Sequence, residues 1–446
     1  MPGRPPLPGN PASVSSHSID MNFSLLHPRE QITRIMDLLY RSRLTTLSGG
    51  NLSIKDANGD IWITPAGVDK GTLRPEDIMC VRSEGLTEGP HLPSTELPFH
   101  MWIYEARPDI SAVVHAHPSA LVSFSIVRVV PETAIIPQAT DVCGSVGYAA
   151  YALPGSDQLG KNIAGAFSEG SNVVLLENHG AVTGGTDLLN AYHRLETLEF
   201  CARTIIHAKR LGGVTALTPE QISFFRGRRS VLPEFDPQGH SSRERELRGQ
   251  IVATVHRACD RFLMIGTEGV VSARVDDGSF LITPTGKDRR TLDIGDIVLV
   301  GGGRRERGKH PSRSVRLHEE IYRRHPHVES IITGQSPGVA AFAVASRKFE
   351  TRTIPESYIL LRDVPVIPFG SQYADPEAIA RTLLESVPVV LIQNDCLLVV
   401  GANVLEAFDR LEVAENTARS IIDALAIGGL APIGEDDITD IHNKFL

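Results

Sequence analysis

The sequence predicts an α/β protein in which one domain plan is used twice. Three observations carry this. Short runs rich in Val, Ile and Leu alternate with longer stretches of helical periodicity. A chain of 446 residues exceeds one ordinary core and points to two or three domains. The second half also repeats the first. Ile282-Thr283-Pro284-Thr285-Gly286-Lys287-Asp288 copies Ile63-Thr64-Pro65-Ala66-Gly67-Val68-Asp69 at an offset of 219 (283 − 64). His318 with Ile321, Tyr322 and Pro326 matches His100 with Ile103, Tyr104 and Pro108 at an offset of 218 (318 − 100). A closing helix over 404–425 matches one over 188–211.

These matches divide the chain into a flexible arm (1–27), a first domain (28–228), a linker (229–244) and a second domain (245–446). The arm is rich in Pro, Gly and Ser and lacks periodicity. His27-Pro28 opens a helix with Ile32, Ile35, Met36 and Leu39 on one face, Pro sitting where its missing N–H costs nothing. Turn-to-strand signals follow at 49–54 and 61–67. Ser94-Thr95-Glu96 precedes a helix over 97–106, where Ser or Thr can cap and Glu can complement the helix dipole. A strand over 110–114, a helix over 157–167, a buried strand over 172–176 and a long helix over 187–211 complete the first domain. The basic run Arg304-Arg305-Glu306-Arg307, flanked by glycines and holding an acid, predicts a solvated loop.

With 41% hydrophobic and 22% charged residues the composition is that of an ordinary globular protein. A net charge of −9 (44 basic against 53 acidic) argues against nucleic acid or an anionic membrane as partner, since both demand a basic face. Five scattered cysteines with no Cys-x-x-Cys fit a reducing, cytoplasmic setting. No apolar run approaches the ~20 residues of a membrane span, and the first residues lack the apolar core of a signal peptide.

The chemistry centres on Val113-Val114-His115-Ala116-His117-Pro118. Residues i and i+2 of a strand share a face, with Cα atoms roughly 6.5–7 Å apart, so two imidazoles there can converge on one ion. Two histidines hydrogen-bonded in a cleft wall would give the same pattern. The internal repeat separates the two readings. At the aligned positions His115 and His117 become Thr333 and Gln335, Glu96 becomes Ser314, and His179, after the strand 172–176, becomes Asp395. The apolar frame around them persists (Ile331-Ile332 for Val113-Val114). Fold is kept while each candidate ligand is lost together, which favours a metal site in the first domain.

Gly50-Asn51-Leu52-Ser53, Ile63-Thr64-Pro65-Ala66-Gly67, Ser94-Thr95-Glu96 with His100, Val113-Val114-His115-Ala116-His117 and Asn178-His179-Gly180 resemble the motif series of the class II aldolase/adducin family. The second half resembles the same family in its frame only. The resemblance implies two three-layer α/β/α domains, each around a mixed, largely antiparallel sheet. It implies a divalent metal, usually Zn2+, on His115, His117 and His179, with Glu96 as acid/base. It also implies an anion pocket at Gly50, Asn51, Gly67, Ser94 and Thr95. Ala66 departs from the family's Thr, and the tyrosine that donates a proton in fuculose-phosphate aldolases is missing near 136–138, leaving Tyr148 and Tyr151 as nearby candidates.

The expected function is a metal-dependent lyase acting through a metal-stabilised enolate on a hydroxy-carbonyl or oxo-acid substrate, by retro-aldol cleavage or decarboxylation. Dehydration or epimerisation are alternatives within the family, and an adducin-like scaffold is the alternative outside catalysis. The expected assembly is a dimer imitating a four-fold ring, with the second domain lending loop residues to the working site.

Overall fold

The computed structural model describes residues 23–228 and 231–446. Most of the arm expected over 1–27 lies outside the described residues, but Phe23–Leu25 forms a 3-10 turn whose Phe23 is buried in the core.

Two sheets organise the chain. The first contains β1 (Asn51–Lys55), β2 (Ile61–Ile63), β3 (Met79–Val81), β4 (Thr87–Glu88), β5 (Ala112–Ala116), β6 (Val146–Ala149), β7 (Val173–Leu176) and β8 (Gly180–Gly185). Their order is β4-β3-β2-β1-β5-β8-β7-β6, antiparallel except for the β6–β7 pair. The second contains β9 (Glu234–Phe235), β10 (Val270–Asp276), β11 (Ser279–Ile282), β12 (Val298–Gly301), β13 (Arg304–Glu306), β14 (Ser330–Gly334), β15 (Val366–Ile367), β16 (Val389–Ile392) and β17 (Leu397–Gly401). Its order, β15-β16-β17-β14-β10-β11-β12-β13-β9, is the first order reversed with β9 added at the far edge. Both domains are therefore the mixed, largely antiparallel α/β/α architecture that the motif series implies.

Residue alternation sets the layers. In β5, Val113 joins an apolar cluster with α2 (Leu97–Ala106) and α5 (Asp157–Ser168). Val114 joins the opposite cluster with α1 (Pro28–Arg41), α3 (Ser119–Ile126), α4 (Pro137–Cys143) and α6 (Leu188–Leu211). Side-chain caps fix the helix starts: Asp187 accepts from the Asn190 N–H at the head of α6, and Ser156 from the Leu159 N–H at the head of α5.

The linker is more ordered than its composition suggests. Thr218 and Gln221 form a capping box that starts α7 (Pro219–Arg226). Glu234–Phe235 then pairs in parallel with β13, so the basic run expected to be a solvated loop is instead a strand. Arg305 meets Glu234 at 3.0 Å and Arg307 meets Asp236 at 2.7 Å. The partner acids lie some seventy residues earlier, beyond the reach of a local pattern.

The second domain adds α8 (Ser242–Asp260), α9 (Val315–Arg324), α10 (Pro337–Ala345), α11 (Pro355–Leu361), α12 (Ser371–Ala374), α13 (Pro376–Thr382), α14 (Val404–Ile427) and α15 (Glu435–Phe445). Its inner helices α8, α10 and α14 share one continuous apolar core with α1, α3 and α6 of the first domain. Polar contacts pin this junction. Glu196 on α6 takes both guanidinium nitrogens of Arg290, at 2.5 and 3.2 Å, with Tyr192 and the Gly266 N–H on the same carboxylate. Beside it His193 pairs with Asp288. Asn394, in the left-handed conformation (φ 51°), donates to the carbonyls of Ile135 and Thr215 across the junction. All five cysteines are free, and no helix among the described residues is long and apolar enough to cross a membrane.

Candidate metal centre

His115, near the end of β5, lies opposite Asn51 of β1 and Val182 of β8. His117 follows one residue past the strand end, and His179 sits in the β7–β8 turn, presented by Asn178 in the left-handed conformation (φ 54°). The structure brings the three together. Their ring centroids are 4.8–4.9 Å apart, and one nitrogen from each lies within 4.8 Å of the others.

His115 Nδ1 is 3.0 Å from the Ala181 carbonyl oxygen, which only accepts. The proton therefore sits on Nδ1 and leaves the Nε2 lone pair facing His117 Nε2 at 3.0 Å. Burial pushes all three imidazoles below the ordinary histidine pKa, and the neighbouring imidazoles push His115 and His117 further. Three neutral nitrogen donors converging on one point fit a tetrahedral divalent cation with its fourth position open.

Glu96 completes the cluster. It is the residue at the head of α2, yet its side chain makes no capping bond. Ser94 Oγ takes the backbone N–H of Glu96 instead, at 3.3 Å. The freed carboxylate turns to the histidines, 3.3 Å from His115 and 3.7 Å from His179, and its buried Oε1 has no hydrogen-bond partner. Oε2 accepts from Asn51 Nδ2 at 2.7 Å. Asn51 Oδ1 in turn accepts from His100 Nε2 at 2.5 Å, while His100 Nδ1 faces Ser53 Oγ, which meets the Tyr104 hydroxyl. Burial pushes His100 down to about 3, with the neighbouring His115 imidazole adding to it, so the ring is neutral and its single N–H is committed to Asn51. A directed relay thus runs from Tyr104 through Ser53, His100 and Asn51 to Glu96.

The second domain retains this relay only in part. Ser272, His318 and Tyr322 repeat the contacts of Ser53, His100 and Tyr104. Val270 stands where Asn51 does, and His318 Nε2 is left buried without a partner. The Ser-His-Tyr part therefore belongs to the fold. Asn51 is the link that extends it to Glu96, and only the comparison of the two halves could have revealed this from sequence.

Glycines make room for the imidazoles. A Cβ on Gly180 would lie 2.7 Å from His117 Cδ2 and 2.6 Å from the Ala116 carbonyl oxygen, and one on Gly49 would lie 3.1 Å from His117 Nδ1. Of the expected anion-pocket residues, Gly50 (φ 70°) holds the turn into β1 against the His115 carbonyl, and Gly67 (φ 68°) is exposed with open space where a side chain would be. Ser94 is buried and Thr95 exposed. The Asn51 side chain points instead into the Glu96 relay. Sequence reasoning missed Lys70. Its buried ammonium donates to the Pro65 carbonyl at 2.6 Å beneath the Gly67 turn, and burial lowers its pKa to about 8. Tyr148 is engaged with Glu177, and Tyr151 is exposed.

Three imidazoles and a carboxylate thus gather at the end of a central strand of an α/β/α domain. A family profile described as "Class II Aldolase and Adducin N-terminal domain" matches residues 30–206 and again 249–422. The chain belongs to the class II aldolase and adducin family, as a tandem two-domain member. An L-fuculose phosphate aldolase of Methanococcus maripaludis is 35% identical over 171 residues, 38% of this chain and 91% of that protein. A 5-deoxy-D-ribulose 1-phosphate aldolase of Bacillus thuringiensis is 32% identical over 200 residues, 44% of this chain and 91% of that protein. A 3-oxo-tetronate 4-phosphate decarboxylase of Escherichia coli is 30% identical over 181 residues, 40% of this chain and 85% of that protein.

Proposed function

We propose that the first domain is a metal-dependent carbon–carbon lyase for a phosphorylated hydroxy-carbonyl compound, with retro-aldol cleavage as its reaction. The observation that carries this is the convergence of three neutral imidazoles with a carboxylate whose Oε1 is unpartnered. His115, His117 and His179 would hold the cation, which when bound supplies Lewis-acid polarisation of a carbonyl and its neighbouring hydroxyl. Glu96 Oε1 is the atom that takes and returns the proton, while Asn51 fixes Oε2. Gly50, Gly67, Ser94 and Thr95 receive the anionic group with backbone N–H groups and hydroxyls, and Lys70 adds positive charge behind them. Ala66 removes one hydroxyl from that cradle.

The test combines metal analysis with product identification. The chain is expected to carry one zinc, and to release an aldehyde from L-fuculose 1-phosphate or 5-deoxy-D-ribulose 1-phosphate in a chelator-sensitive reaction. Release of CO2 from 3-oxo-tetronate 4-phosphate without aldehyde formation from either ketose would replace retro-aldol cleavage by decarboxylation. Absence of stoichiometric metal would remove the reading altogether.

The same reading includes a dimer. Within one chain, α10 buries Ala341 and Val344 in the core shared with α6. On its first-domain counterpart α3 the aligned Ser123 and Ile126 are exposed, followed by exposed Val127, Val129 and Val130. Pairing this face with α14 of a second copy, the counterpart of α6, would repeat the internal junction and close a ring with two-fold symmetry. Light scattering should give twice the chain mass, and Ile126→Glu with Val129→Glu should yield monomer. A monomeric parent chain would end this part of the proposal.

A further inference from the structure

The second domain's cleft has been rebuilt as well as stripped. Thr333, Gln335 and Asp395 stand where the first domain has its three histidines. Glu268 and Cys396 stand where Gly49 and Gly180 make room for His117. Side chains thus occupy the space an imidazole would need, and the result is a cleft of about 140 Å³. The first domain closes one side of it through Gln138 on α4. The lending of residues between domains therefore runs, within one chain, from first to second, opposite to the direction expected for the working site.

The polar atoms in this cleft are oriented. Gln335 Nε2 donates to Asp395 Oδ1 at 3.2 Å, and Gln372 Nε2 donates to Oδ2. A carboxylate only accepts, so these bonds fix which end of each amide faces it. The amide oxygens of Gln335, Gln372 and Gln138 are left buried without a partner in the protein. The three residues are only 3%, 3% and 8% exposed, and all line the cleft. A buried acceptor left unsatisfied is costly, so three around one cavity call for a ligand that donates hydrogen bonds. The opposite wall has the other polarity. Thr285-Gly286 and Ser312-Arg313-Ser314 bring hydroxyls and a guanidinium to the cavity, the guanidinium facing Glu268 and Asp395 as well. Gly286 (φ 71°) repeats the left-handed turn of Gly67, and Thr285 supplies the hydroxyl that Ala66 lacks. Buried Arg289 holds the walls themselves, donating to the carbonyls of Gly269, Pro284 and Lys287.

We infer that the second-domain cleft is a metal-free binding site for a small hydroxylated molecule carrying one anionic group, of the polyol phosphate class. The anion sits against Ser312, Arg313 and Thr285, and the hydroxyls donate to the three amide oxygens. The three histidines of the first domain are replaced there, and the proposal is one of binding alone. This inference does not depend on the lyase reading.

The test is calorimetric titration of the full-length chain bearing His115→Thr and His117→Gln, with glycerol 1-phosphate as probe. One site per chain is expected, at least tenfold tighter for glycerol 1-phosphate than for inorganic phosphate or glycerol alone. Gln335→Leu and, separately, Arg313→Ala should each weaken binding at least tenfold with the unfolding midpoint near that of the parent. Ser94→Ala in the first domain should leave it unchanged. No saturable binding, or binding lost with Ser94→Ala and kept with Gln335→Leu, would overturn the inference. So would heat from Mg2+ or Ca2+ alone that Gln335→Leu abolishes, which would assign the oxygens to a cation.

Discussion

Exchanging His115 for Thr and His117 for Gln is expected to remove the proposed metal binding and to lower turnover by about 10³-fold or more, while the chain stays folded. The loss follows from Lewis-acid stabilisation worth several kcal/mol in the transition state, at about 1.4 kcal/mol per factor of ten. Retention of fold follows from the second domain, which carries Thr333 on an intact β14 and Gln335 just past its end. Alanine would leave a cavity at the fully buried His115. The residues of the sibling domain are gentler and separate chemistry from folding. Metal analysis, the aldehyde assay and a urea midpoint on one preparation decide it, and a double variant that keeps its metal would sink the assignment.

The second large effect is on stability. Glu196→Ala leaves the buried Arg290 guanidinium without its carboxylate and is expected to cost about 3–5 kcal/mol, read as a shift in the urea midpoint. Glu196→Leu combined with Arg290→Met should recover most of that, because an apolar pair carries no uncompensated charge. Neighbouring His193 adds a pH dependence. Its burial favours the neutral ring, but the hydrogen bond and charge of Asp288 outweigh this and raise its pKa above 6.5. A raised folded pKa gives stability that is complete below the unfolded value and is lost as pH climbs through the folded one. Stability should therefore fall as pH rises above about 6.5, and His193→Gln should flatten that slope. A Glu196→Ala shift below about 1 kcal/mol would mean the junction rests on apolar packing alone.

Much of the fold was legible because hydrophobic periodicity and capping are local. The 3.6-residue stripe of α6 and the apolar run of β7 are each readable within a dozen residues. The repeat then gave the two-domain plan. Partnerships distant in sequence were not legible. The β9–β13 pairing joins segments seventy residues apart, and its acids and arginines have no joint signature in either segment. At the site, the three histidines and Glu96 were readable through the loss of their counterparts. Asn51 was expected in the anion pocket; its side chain bonds Glu96 and His100, a contact made only when β1 and α2 meet. Lys70 was overlooked because a lysine after a turn looks solvated until the chain folds over it.

The continuous core between the two sheets has a consequence for what the chain can lose. The inner helix layers of the two halves cover one another, so neither half owns a finished surface there. Proteolysis or truncation that removed one half would uncover the apolar face of α6 or of α10 and leave the remainder prone to aggregate. The two halves are inherited as a unit. Under that constraint the second cleft has exchanged the three histidines for Thr333, Gln335 and Asp395, while the domain around it is kept.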